Sequence, residues 1–407
     1  MDVLAEFATP DFRRDPYPFL RWLRENEPVH RTRAGFYLVS RHADAVSVQR
    51  GTGELFRGPD RDRLTEQYAS ALRHPSTAFR LDAMLLKNPP EHTRLRRLVA
   101  RDFTPKRVAE LTGRIGVLCD GLLDDTAEPL CQGEVIDLHD RLAARLTLCV
   151  IAELIGVPLS DRDWLAPVVT DFVSALGSMS EDLLTVADQH TRMLQEYFHK
   201  LIDERRRTPA PDLVSALVPR DGGDSDGLTD DEVVSMLLTL WIAGFETTAA
   251  GIDHAALAMI NHPDHRHWLA EGTSSAAAFT DEVLRHSGPG LFTPVPRIAT
   301  EPVRLAGTEL PAGSDVRPVF AAANRDPDVF PDPDVFDPAR DTTGTLAFGH
   351  GIHHCLGTFL GRAEIRVALT RLHARFPGLV LAGEPLWGNA LPMHAPLAVP
   401  VALDSAP

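Results

Sequence analysis

The chain has 407 residues, of which 44% are hydrophobic and 24% charged, and its formal net charge is −16. This composition is ordinary for a globular protein that is large enough to bury a core without disulfides. The negative charge disfavours a nucleic-acid partner, because such binding depends on Lys and Arg at phosphates. The N-terminus has no basic segment followed by an apolar run, and the charge-free stretch Val233 to Phe245 is too short to span a bilayer. We therefore expect a cytoplasmic protein that binds neither nucleic acid nor membrane.

Taken in chain order, the hydrophobic pattern predicts a helix over residues 16–26 and a hairpin over 28–40, with Gly35 at its turn. Helical periodicity then continues from about residue 90 to 286. From Pro294 to Pro318 the pattern changes to short β-like runs, and a further helix follows Cys355. The sequence therefore predicts a mainly α fold with small β-sheets. We expect one domain over 1–407, helix-rich at about 90–286, with β-containing parts at about 28–60 and 294–400.

One helix start is strongly marked. Thr229 and Glu232 form a capping box after the polar turn at 221–227, and no proline follows until Pro263. A helix over 229–260 would be roughly 48 Å long at about 1.5 Å per residue. Because its middle is apolar on most sides, we expect it to be buried.

The segment Phe348-Gly349-His350-Gly351-Ile352-His353-His354-Cys355-Leu356-Gly357 contains the most informative cysteine. Closely spaced glycines allow the backbone to turn tightly and to direct amides at a sulfur atom. We expect Cys355 at the N-terminus of a helix, where the helix dipole favours a thiolate. A thiolate ligand donates electron density to haem iron, which promotes cleavage of the O–O bond.

Two other interpretations of this loop are open. A single cysteine is usually a small core residue, and we expect that role for Cys119, Cys131 and Cys149. The second alternative is a zinc site at His350, His353, His354 and Cys355. Zinc sites normally take ligands from two separated pairs, however, and no second pair is present.

The middle of the long helix contains Ala243-Gly244-Phe245-Glu246-Thr247-Thr248. An acid, a glycine and two β-branched alcohols are locally unfavourable in a buried helix, and such exceptions mark functional sites. Ala243 and Gly244 leave room for a flat cofactor, and Glu246 with Thr247 can relay protons during O₂ reduction. The alternative is a helix kink that contains a satisfied glutamate.

Charged residues in other segments form a weaker pattern. Glu282 and Arg285 share one helix face and, with Arg340, suggest a structural network ahead of the cysteine loop. Four further residues are suited to the carboxylates of a haem, although each alone is typical of a solvated charge: His92, Arg96, Arg297 and His353.

In this order the motifs FGHGIHHCLG, AGFETT, EVLR, FDPAR and PPEHTRLR resemble the cytochrome P-450 family, particularly its soluble bacterial members. The resemblance extends from about residue 16 to 400. It implies a cytochrome P-450 fold that contains haem b (iron protoporphyrin IX), with Cys355 as the iron ligand and with Glu246 and Thr247 as the catalytic residues. The implied cofactor-binding residues are His92, Arg96, Ala243, Gly244, Arg297, Phe348, Gly349, His353, Cys355 and Gly357. Asn88 and Thr345 depart from residues that are frequent in the family.

The resemblance implies a monooxygenase that inserts one atom of O₂ into an organic, apolar small molecule, by hydroxylation or epoxidation. The alternative is a haem-thiolate sensor without oxygenase activity. Electrons would come from NAD(P)H through an external reductase and an acidic ferredoxin. The expected docking face for that ferredoxin contains Arg94, Arg97, Arg101, Lys106 and Arg107. The implied substrate pocket draws on residues 57–86, 168–186, Leu240, Ala243, Leu291 to Val295 and Leu391 to Met393.

Overall fold

The computed structural model of the chain describes residues 2–50, 55–162, 164–165, 167–168, 180–218, 227–389 and 391–404. Most of the described residues are helical. The α-helices are α1 Val3–Phe7, α2 Pro10–Arg14, α3 Tyr17–Asn26, α4 His42–Arg50, α5 Arg61–Gln67, α6 Pro75–Leu81, α7 Glu91–Val99, α8 Pro105–Cys131, α9 Ala144–Ile155, α10 Glu181–Arg207, α11 Leu213–Leu217, α12 Asp230–Asn261, α13 Thr273–Ser287, α14 Phe320–Ala323 and α15 Thr358–Arg375. Short 3₁₀ helices cover Met84–Leu86, Ala100–Phe103, Pro263–Leu269 and Gly351–His353, and a π-helical turn covers His139–Ala143.

The strands are short and lie mostly at the two ends of the chain. They are β1 Val29–Arg31, β2 Tyr37–Val39, β3 Phe56–Arg57, β4 Ile136–Asp137, β5 Arg297–Ala299, β6 Val303–Leu305, β7 Thr308–Leu310, β8 Asp315–Pro318, β9 Leu379–Leu381, β10 Leu386–Trp387, β11 Pro396–Ala398 and β12 Pro400–Leu403. A five-stranded sheet has the order β1-β2-β8-β5-β3, and smaller sheets have the orders β4-β12-β9, β6-β7 and β10-β11. The predicted small sheets are thus present.

The predicted hairpin at 28–40 is confirmed. Strand β1 pairs antiparallel with β2, with Val29 opposite Val39, and Gly35 has a positive φ of 93° at the turn. Strand β2 then pairs parallel with β8, where Leu38 faces Arg317. This pairing of β2 with β8 joins the N-terminal hairpin to the β-rich segment that begins at Arg297, far along the chain.

The capping box of the long helix is also confirmed. The Glu232 amide donates to Thr229 Oγ1 at 3.2 Å, and the Thr229 amide donates to Glu232 Oε2 at 2.9 Å. Helix α12 therefore starts where its own side chains satisfy the first free amides. Of the polar turn that precedes it, residues 221–226 lie outside the described residues.

Helix α12 is buried over most of its length, as expected. Ala243, Glu246 and Thr247 are exposed in its middle turn, whereas Trp241 and Thr248 on either side are buried. This is the turn at which Ala243 and Gly244 were expected to leave room for a flat cofactor. Helix α12 is also long and apolar enough to cross a bilayer by composition alone, but 56% of its most apolar window is buried and a core helix passes the same test.

The chain divides into two compact units. The first unit comprises Met1–Arg57, Val108–Leu146 and Thr247–Pro407, and the second comprises Gly58–Arg107 and Thr147–Glu246. In the first unit, a buried cluster lies on the five-stranded sheet and contains Val39, Val48, Phe56, Ala299, Leu305, Leu310 and Val316. The single-domain interpretation of 1–407 stays a prediction.

Candidate functional site

The cysteine loop is built from two tight turns. Gly349 and Gly351 have positive φ angles of 68° and 74°, which side chains other than glycine rarely adopt. The Gly349 amide donates to Leu346 O at 2.9 Å, and the Cys355 amide donates back to Phe348 O at 2.9 Å. The loop thus holds its shape through backbone hydrogen bonds and leaves Cys355 exposed.

The helix after the cysteine starts slightly later than predicted. Helix α15 begins at Thr358, whose Oγ1 donates to Cys355 O at 2.7 Å. Cys355 therefore precedes the helix instead of occupying its first position. Within the helix Leu360, Ala363, Val367 and Leu372 are buried, whereas Leu356 lies before it and is half-buried.

Two glycines let α12 and α15 approach closely within the first unit. A Cβ placed on Gly361 would lie 3.8 Å from Thr248 Oγ1 and 4.0 Å from Phe348 Cε1. A Cβ on Gly251 would lie only 2.7 Å from Ile365 Cδ1, so a larger residue there would force a shift. The turn of α12 that carries Thr248 therefore meets Phe348 of the cysteine loop at one glycine.

Phe348 is held by a cation as well. The Arg362 guanidinium lies over its ring at 4.5 Å from the centroid, and Arg362 Nε donates to Asp281 Oδ1 at 2.6 Å. Asp281 belongs to helix α13, so this pair links the cysteine loop to the helix that carries Glu282 and Arg285. Such a cation–π contact orients the ring.

The predicted network of Glu282, Arg285 and Arg340 is present. Arg285 Nε and Nη2 each donate to the Glu282 carboxylate at 2.7 Å, and Arg340 Nε donates to Glu282 Oε1 at 3.4 Å. The Asp337 amide donates to the same oxygen at 2.9 Å. Glu282 is fully buried, and its bonds fix the segment ahead of the cysteine loop. The role of the network is therefore structural.

Arg297 is a buried cation without such a network. It begins strand β5 and is 1% exposed, and Nη1 donates to Pro296 O at 3.3 Å. Among the described residues its Nε has no hydrogen-bond partner. Burial lowers the pKa of Arg297 to about 10. A buried guanidinium in this situation is suited to an external carboxylate.

The other predicted site residues are distributed as follows. His92 and Arg96 lie one turn apart on α7 in the second unit, with His92 buried and Arg96 half-buried. His353 is half-buried in the 3₁₀ turn before Cys355. In the second unit, Gly244 packs against Ile151, whose Cδ1 lies 3.3 Å from the position of an added Cβ.

The zinc alternative has no support. Within the described part of the chain, no group of three His, Cys, Asp or Glu residues is arranged to hold a metal ion. Of the cysteines that were expected in the core, Cys119 is buried and burial raises the pKa of its thiol to about 12, whereas Cys131 is exposed.

Comparison with known proteins decides the family. The family model for cytochrome P-450 matches residues 163–385. Cytochrome P-450 BJ-3 of Bradyrhizobium diazoefficiens is 44% identical over 395 residues, which are 94% of this chain and 92% of that protein. This chain belongs to the cytochrome P-450 family.

Further relatives agree over nearly the whole length. Cytochrome P-450 monooxygenase PikC of Streptomyces venezuelae is 39% identical and covers 93% of this chain and 88% of its own. The mycinamicin IV hydroxylase/epoxidase of Micromonospora griseorubida is 36% identical over 93% of each chain. The crystal structure of CalO2 superposes with a TM-score of 0.87 and 29% identity, covering 97% of this chain and 98% of that one. The predicted fold class is therefore confirmed.

This cytochrome P-450 is a monooxygenase, as its named relatives are. The comparisons give no support to the alternative of a haem-thiolate sensor. Membership of the family implies a haem cofactor and a redox partner that supplies electrons. Haem carries two propionate carboxylates, and the buried Arg297 with its unpartnered Nε is a group that fits one of them.

The basic segment of this P-450 differs from the prediction at one residue. Arg94 donates to the carboxylate of Glu232 and to Gly227 O, so it is half-buried and paired within the second unit. Arg97, Arg101 and Lys106 are exposed, and Arg107 is half-buried with Nη2 donating to Pro211 O at 3.2 Å. Arg94 therefore does not belong to the exposed basic face that was expected to bind the ferredoxin.

Two of the predicted pocket residues pack in the core of the first unit. Leu291 and Phe292 belong to a buried core cluster of the first unit, in which Phe292 stacks on Phe7 with ring centroids 6.0 Å apart. Their packing partners come from the N-terminal helices, which the sequence pattern did not connect to this segment. Phe172, also expected in the pocket, lies outside the described residues.

Sequence reasoning missed a group of polar residues just beyond Thr247. Asp253 and His254 are both buried in α12, where Asp253 contacts His139 and His254 contacts His394. Glu364 on α15 is also buried, and burial raises its pKa well above the usual range. A signal was present, because Asp253 and His254 interrupt an otherwise apolar stretch of the same helix in which Glu246 and Thr247 stood out.

Proposed function

We propose that this cytochrome P-450 binds haem b through the Cys355 thiolate and oxygenates an apolar small molecule. In this proposal Glu246 and Thr247 deliver the protons that O₂ reduction consumes. Electrons come from NAD(P)H through a reductase and an acidic ferredoxin. We further infer from the likeness to bacterial relatives that the enzyme works in the cytoplasm.

The observation that carries the proposal is the conformation of the cysteine loop. Two glycines with positive φ turn the chain so that Cys355 is exposed while its own amide is bonded back to Phe348 O. An exposed sulfur just before a helix is favoured as a thiolate by the free amides of the first turn. None of the other cysteines has such surroundings among the described residues.

Bound haem supplies the iron at which O₂ is reduced and one oxygen atom is transferred. The protein residues have separate tasks. Cys355 would hold the iron through its thiolate, while Arg297 would hold a propionate, together with His92, Arg96 and His353. Ala243 and Gly244 would leave a flat surface for the macrocycle, and Phe348, Gly349 and Gly357 would shape the sulfur side.

Glu246 and Thr247 are suited to moving protons because an acid and an alcohol stand side by side on α12, next to the small residues Ala243 and Gly244. A carboxylate exchanges protons with solvent, and an adjacent hydroxyl can pass a proton on while it accepts another. Thr248, the next residue, is buried against Gly361 and has no such access.

The axial ligand is tested by spectroscopy. The reduced carbon-monoxide complex of the wild type should show the absorption band that is diagnostic of thiolate ligation, and Cys355→Ser should lose that band completely. Cys131→Ser is the matched control, because Cys131 is also exposed, and it should keep the band. A Cys355→Ser protein that keeps the thiolate band would overturn the proposal.

Proton delivery is tested by the coupling of electrons to product. Thr247→Ala should bind haem normally but divert reducing equivalents to peroxide, because the relay loses its hydroxyl. Thr239→Ala is the control, since Thr239 lies on the same helix and its Oγ1 donates to Ser235 O at 2.7 Å. Equal peroxide yields in wild type and Thr247→Ala would remove Thr247 from the mechanism.

The substrate class rests on the relatives and on the predicted pocket segments. Relatives carry names such as vitamin D(3) 25-hydroxylase and mycinamicin IV hydroxylase/epoxidase, which describe their own substrates. Among the predicted pocket residues of this chain, Phe79 and Met393 are half-buried and Leu85 is 41% exposed, so each presents apolar surface. We propose an apolar organic substrate of secondary metabolism. Spectral titration with a compound library is the direct test.

The ferredoxin site is proposed at Arg97, Arg101, Lys106 and Arg107, now without Arg94. A basic surface on a protein of net charge −16 attracts an acidic partner, and the attraction weakens as salt shortens the Debye length from about 30 Å at 0.01 M to about 8 Å at 0.15 M. Reversing Arg97 and Arg101 to Glu should slow ferredoxin-supported turnover and leave peroxide-driven turnover unchanged.

The matched control for that reversal is Arg192→Glu with Lys200→Glu. Both residues are exposed on α10, and the change in net charge is the same. The control should leave turnover unaltered. Turnover that does not respond to salt or to the reversals at Arg97 and Arg101 would place the partner elsewhere.

A further inference from the structure

A buried acid and a half-buried histidine form a pair on the same helix that carries Glu246 and Thr247. His139 Nδ1 lies 2.7 Å from Asp253 Oδ2. The Asp253 side chain is fully buried, whereas a quarter of the His139 side chain is exposed. Among the described residues, Asp253 Oδ1 has no hydrogen-bond partner. The pair therefore connects the partly exposed His139 ring to Asp253 Oδ1, a buried oxygen that can still accept a hydrogen bond.

Helix geometry relates the pair to the proposed relay. Asp253 follows Glu246 by seven residues, which is two turns or about 10.5 Å along the axis, with a rotation of only about 20°. Asp253 and Glu246 therefore lie on one face of α12. The turn between them carries the small residues Ala249 and Ala250. Both alanines are buried, so the face that joins the two carboxylates has small side chains of its own under the packing of other segments.

The π-helical turn His139–Ala143 explains why His139 reaches Asp253. Such turns insert an extra residue into a helix and redirect side chains, and they occur frequently at functional sites. The Asp137 carboxylate fixes the start of this turn by accepting from the His139 amide at 3.0 Å and from the Val399 amide at 2.8 Å. The position of the imidazole is thus set by the backbone on both sides.

The electrostatics of the pair suit proton transfer near neutral pH. Burial raises the pKa of Asp253 to about 6, and the contact with His139 only partly offsets this. Burial disfavours charge on His139, but the hydrogen bond and charge of Asp253, together with Asp137 and Asp140, outweigh it and raise the pKa of His139. His254, the next residue on α12, contacts His394 instead. The proton can therefore reside on either member.

A purely structural ion pair would look different. In the Glu282 network, Glu282 Oε1 accepts from Arg285, Arg340 and the Asp337 amide, and Oε2 accepts from Arg285. In the His139 pair only one oxygen of Asp253 is used, and the other is buried without a donor. A buried oxygen of this kind is costly unless a proton or water serves it.

We propose that His139 and Asp253 form a second proton route from solvent along α12 toward Glu246 and Thr247. A proton from solvent binds His139 Nε2, and the Nδ1 proton passes to Asp253 Oδ2. The neutral carboxyl group then rotates about its Cβ–Cγ bond, and the same proton leaves to water on this face of the helix. No electrons move in these steps, and reorientation of the imidazole restores the first tautomer. This inference rests on the proposed function of Glu246 and Thr247.

The first measurement needs no turnover. Infrared difference spectra of the holoenzyme between about pH 8 and about pH 5 should show the carbonyl stretch of a buried carboxylic acid appearing as Asp253 takes up a proton. Asp253→Asn should lack this band. A spectrum without any band that depends on Asp253 would overturn the route.

The second measurement uses NADPH, spinach ferredoxin and its reductase to reduce O₂ on the holoenzyme. Asp253→Asn keeps the shape of the side chain but cannot carry a proton, so the peroxide formed per NADPH should rise several-fold and the solvent deuterium isotope effect should increase. His139→Gln should act in the same direction, and Asp253→Glu should restore part of the wild-type ratio. If Asp253→Asn folds poorly, His139→Gln at the partly exposed position still decides the question.

Thr247→Ala distinguishes failure of the second proton route from failure of the proposed relay at Glu246 and Thr247. If Thr247→Ala raises peroxide but Asp253→Asn and His139→Gln do not, the second route is wrong and the proposed relay stands. If Thr247→Ala has no effect, the proposed function of the relay itself is wrong. Melting temperature and haem content are measured for each variant, because a structural brace alone would change these and leave the isotope effect as in the wild type.

Discussion

Arg285 and Arg297 are both 1% exposed, and they belong to the same unit of the chain. Arg285 uses Nε and Nη2 for the Glu282 carboxylate and donates from Nη1 to Asn324 O at 2.9 Å and to Pro333 O at 3.0 Å. Arg297 donates only to the carbonyl of its neighbour Pro296, and its Nε has no partner within the described part of the chain. Two buried guanidinium groups thus have very different surroundings.

The difference teaches how to separate a structural charge from a binding charge. A buried cation is costly unless it is paired and hydrogen-bonded, and an arginine cannot escape by losing its proton. All three nitrogens of the Arg285 guanidinium group donate hydrogen bonds within its own chain, so its network stabilises the fold. Arg297 Nε has no acceptor among the described residues, and in our proposal a haem propionate supplies one. Four predictions test this comparison.

The largest effect is expected at the complete network. Arg285→Met would leave Glu282 buried without its main cation and would remove the donors to three carbonyl oxygens. Breaking a buried pair by removing one partner costs about 3–5 kcal/mol. Urea unfolding of the holoenzyme, followed by circular dichroism, should show this loss. A loss below about 1 kcal/mol would mean that the network does not stabilise the fold.

A smaller and different effect is expected at Arg297. Arg297→Met removes an uncompensated buried charge, so the free energy of unfolding of the haem-free chain should be unchanged or higher. Haem should be lost faster, because one charge-assisted hydrogen bond of about 1.5–3 kcal/mol corresponds to roughly a tenfold to hundredfold change. Transfer of haem to apomyoglobin measures this rate.

The control for Arg297 lies on the adjacent strand. Arg317 on β8 is already paired with Asp315, with Nε and Nη2 donating at 3.1 and 3.0 Å. Arg317→Met should therefore not accelerate haem loss. Equal rates of haem transfer for Arg297→Met and the wild type would show that Arg297 does not hold the cofactor.

Two buried histidines avoid the cost of a buried charge because they are neutral in the folded protein. His254 Nε2 lies 2.7 Å from His394 O, and His394 stacks on Trp387 with centroids 4.2 Å apart. Burial lowers the pKa of His254 to about 4 and that of His394 to about 3. Because the folded-state pKa values lie below the unfolded value of about 6.5, the unfolded chain binds more protons in acid.

The stability contributed by these neutral histidines is present above about pH 6.5 and is lost as the pH falls toward 4 and 3. At about pH 5 the loss should be about 1–2 kcal/mol for each histidine. Urea unfolding at several pH values should show a shallower decline for His394→Gln than for the wild type. Parallel pH profiles would contradict the assignment.

The smallest effect is expected where the charges are exposed. Arg304 pairs with Glu309 across the β6-β7 hairpin, and their side chains are 66% and 76% exposed. Exposed ion pairs contribute about 0–1 kcal/mol, because water solvates both partners. Arg304→Ala should change the free energy of unfolding by less than about 1 kcal/mol at low and at high salt. A larger loss would show that burial is not what separates Arg285 from the surface pairs.

Much of the local structure could be predicted because its causes are local. The capping box at Thr229 and Glu232 satisfies amides within four residues, and the hairpin at Gly35 needs only a residue that tolerates a positive φ. The turns around Cys355 depend on the same property of Gly349 and Gly351. These features follow from the conformational preferences of neighbouring residues.

Predictions failed where a residue's surroundings come from distant parts of the chain. Arg94 was expected to be free for a partner, but Glu232, 138 residues away, pairs with it. Phe292 packs against Phe7, a contact that no local pattern indicated.

The amino-acid sequence by itself determined the helix-rich class, the long capped helix, the glycine-bent cysteine loop and the resemblance to the cytochrome P-450 family. Only the tertiary structure decided which charges are satisfied: Arg285 is paired with Glu282, and Asp253 is paired through one oxygen with His139, which is 114 residues away. Arg297 donates from Nη1 to Pro296 O, and its Nε has no partner among the described residues. The physical reason is that backbone conformation and capping are governed by adjacent residues. The desolvation and pairing of a buried charge are set by segments that meet only after the chain has folded.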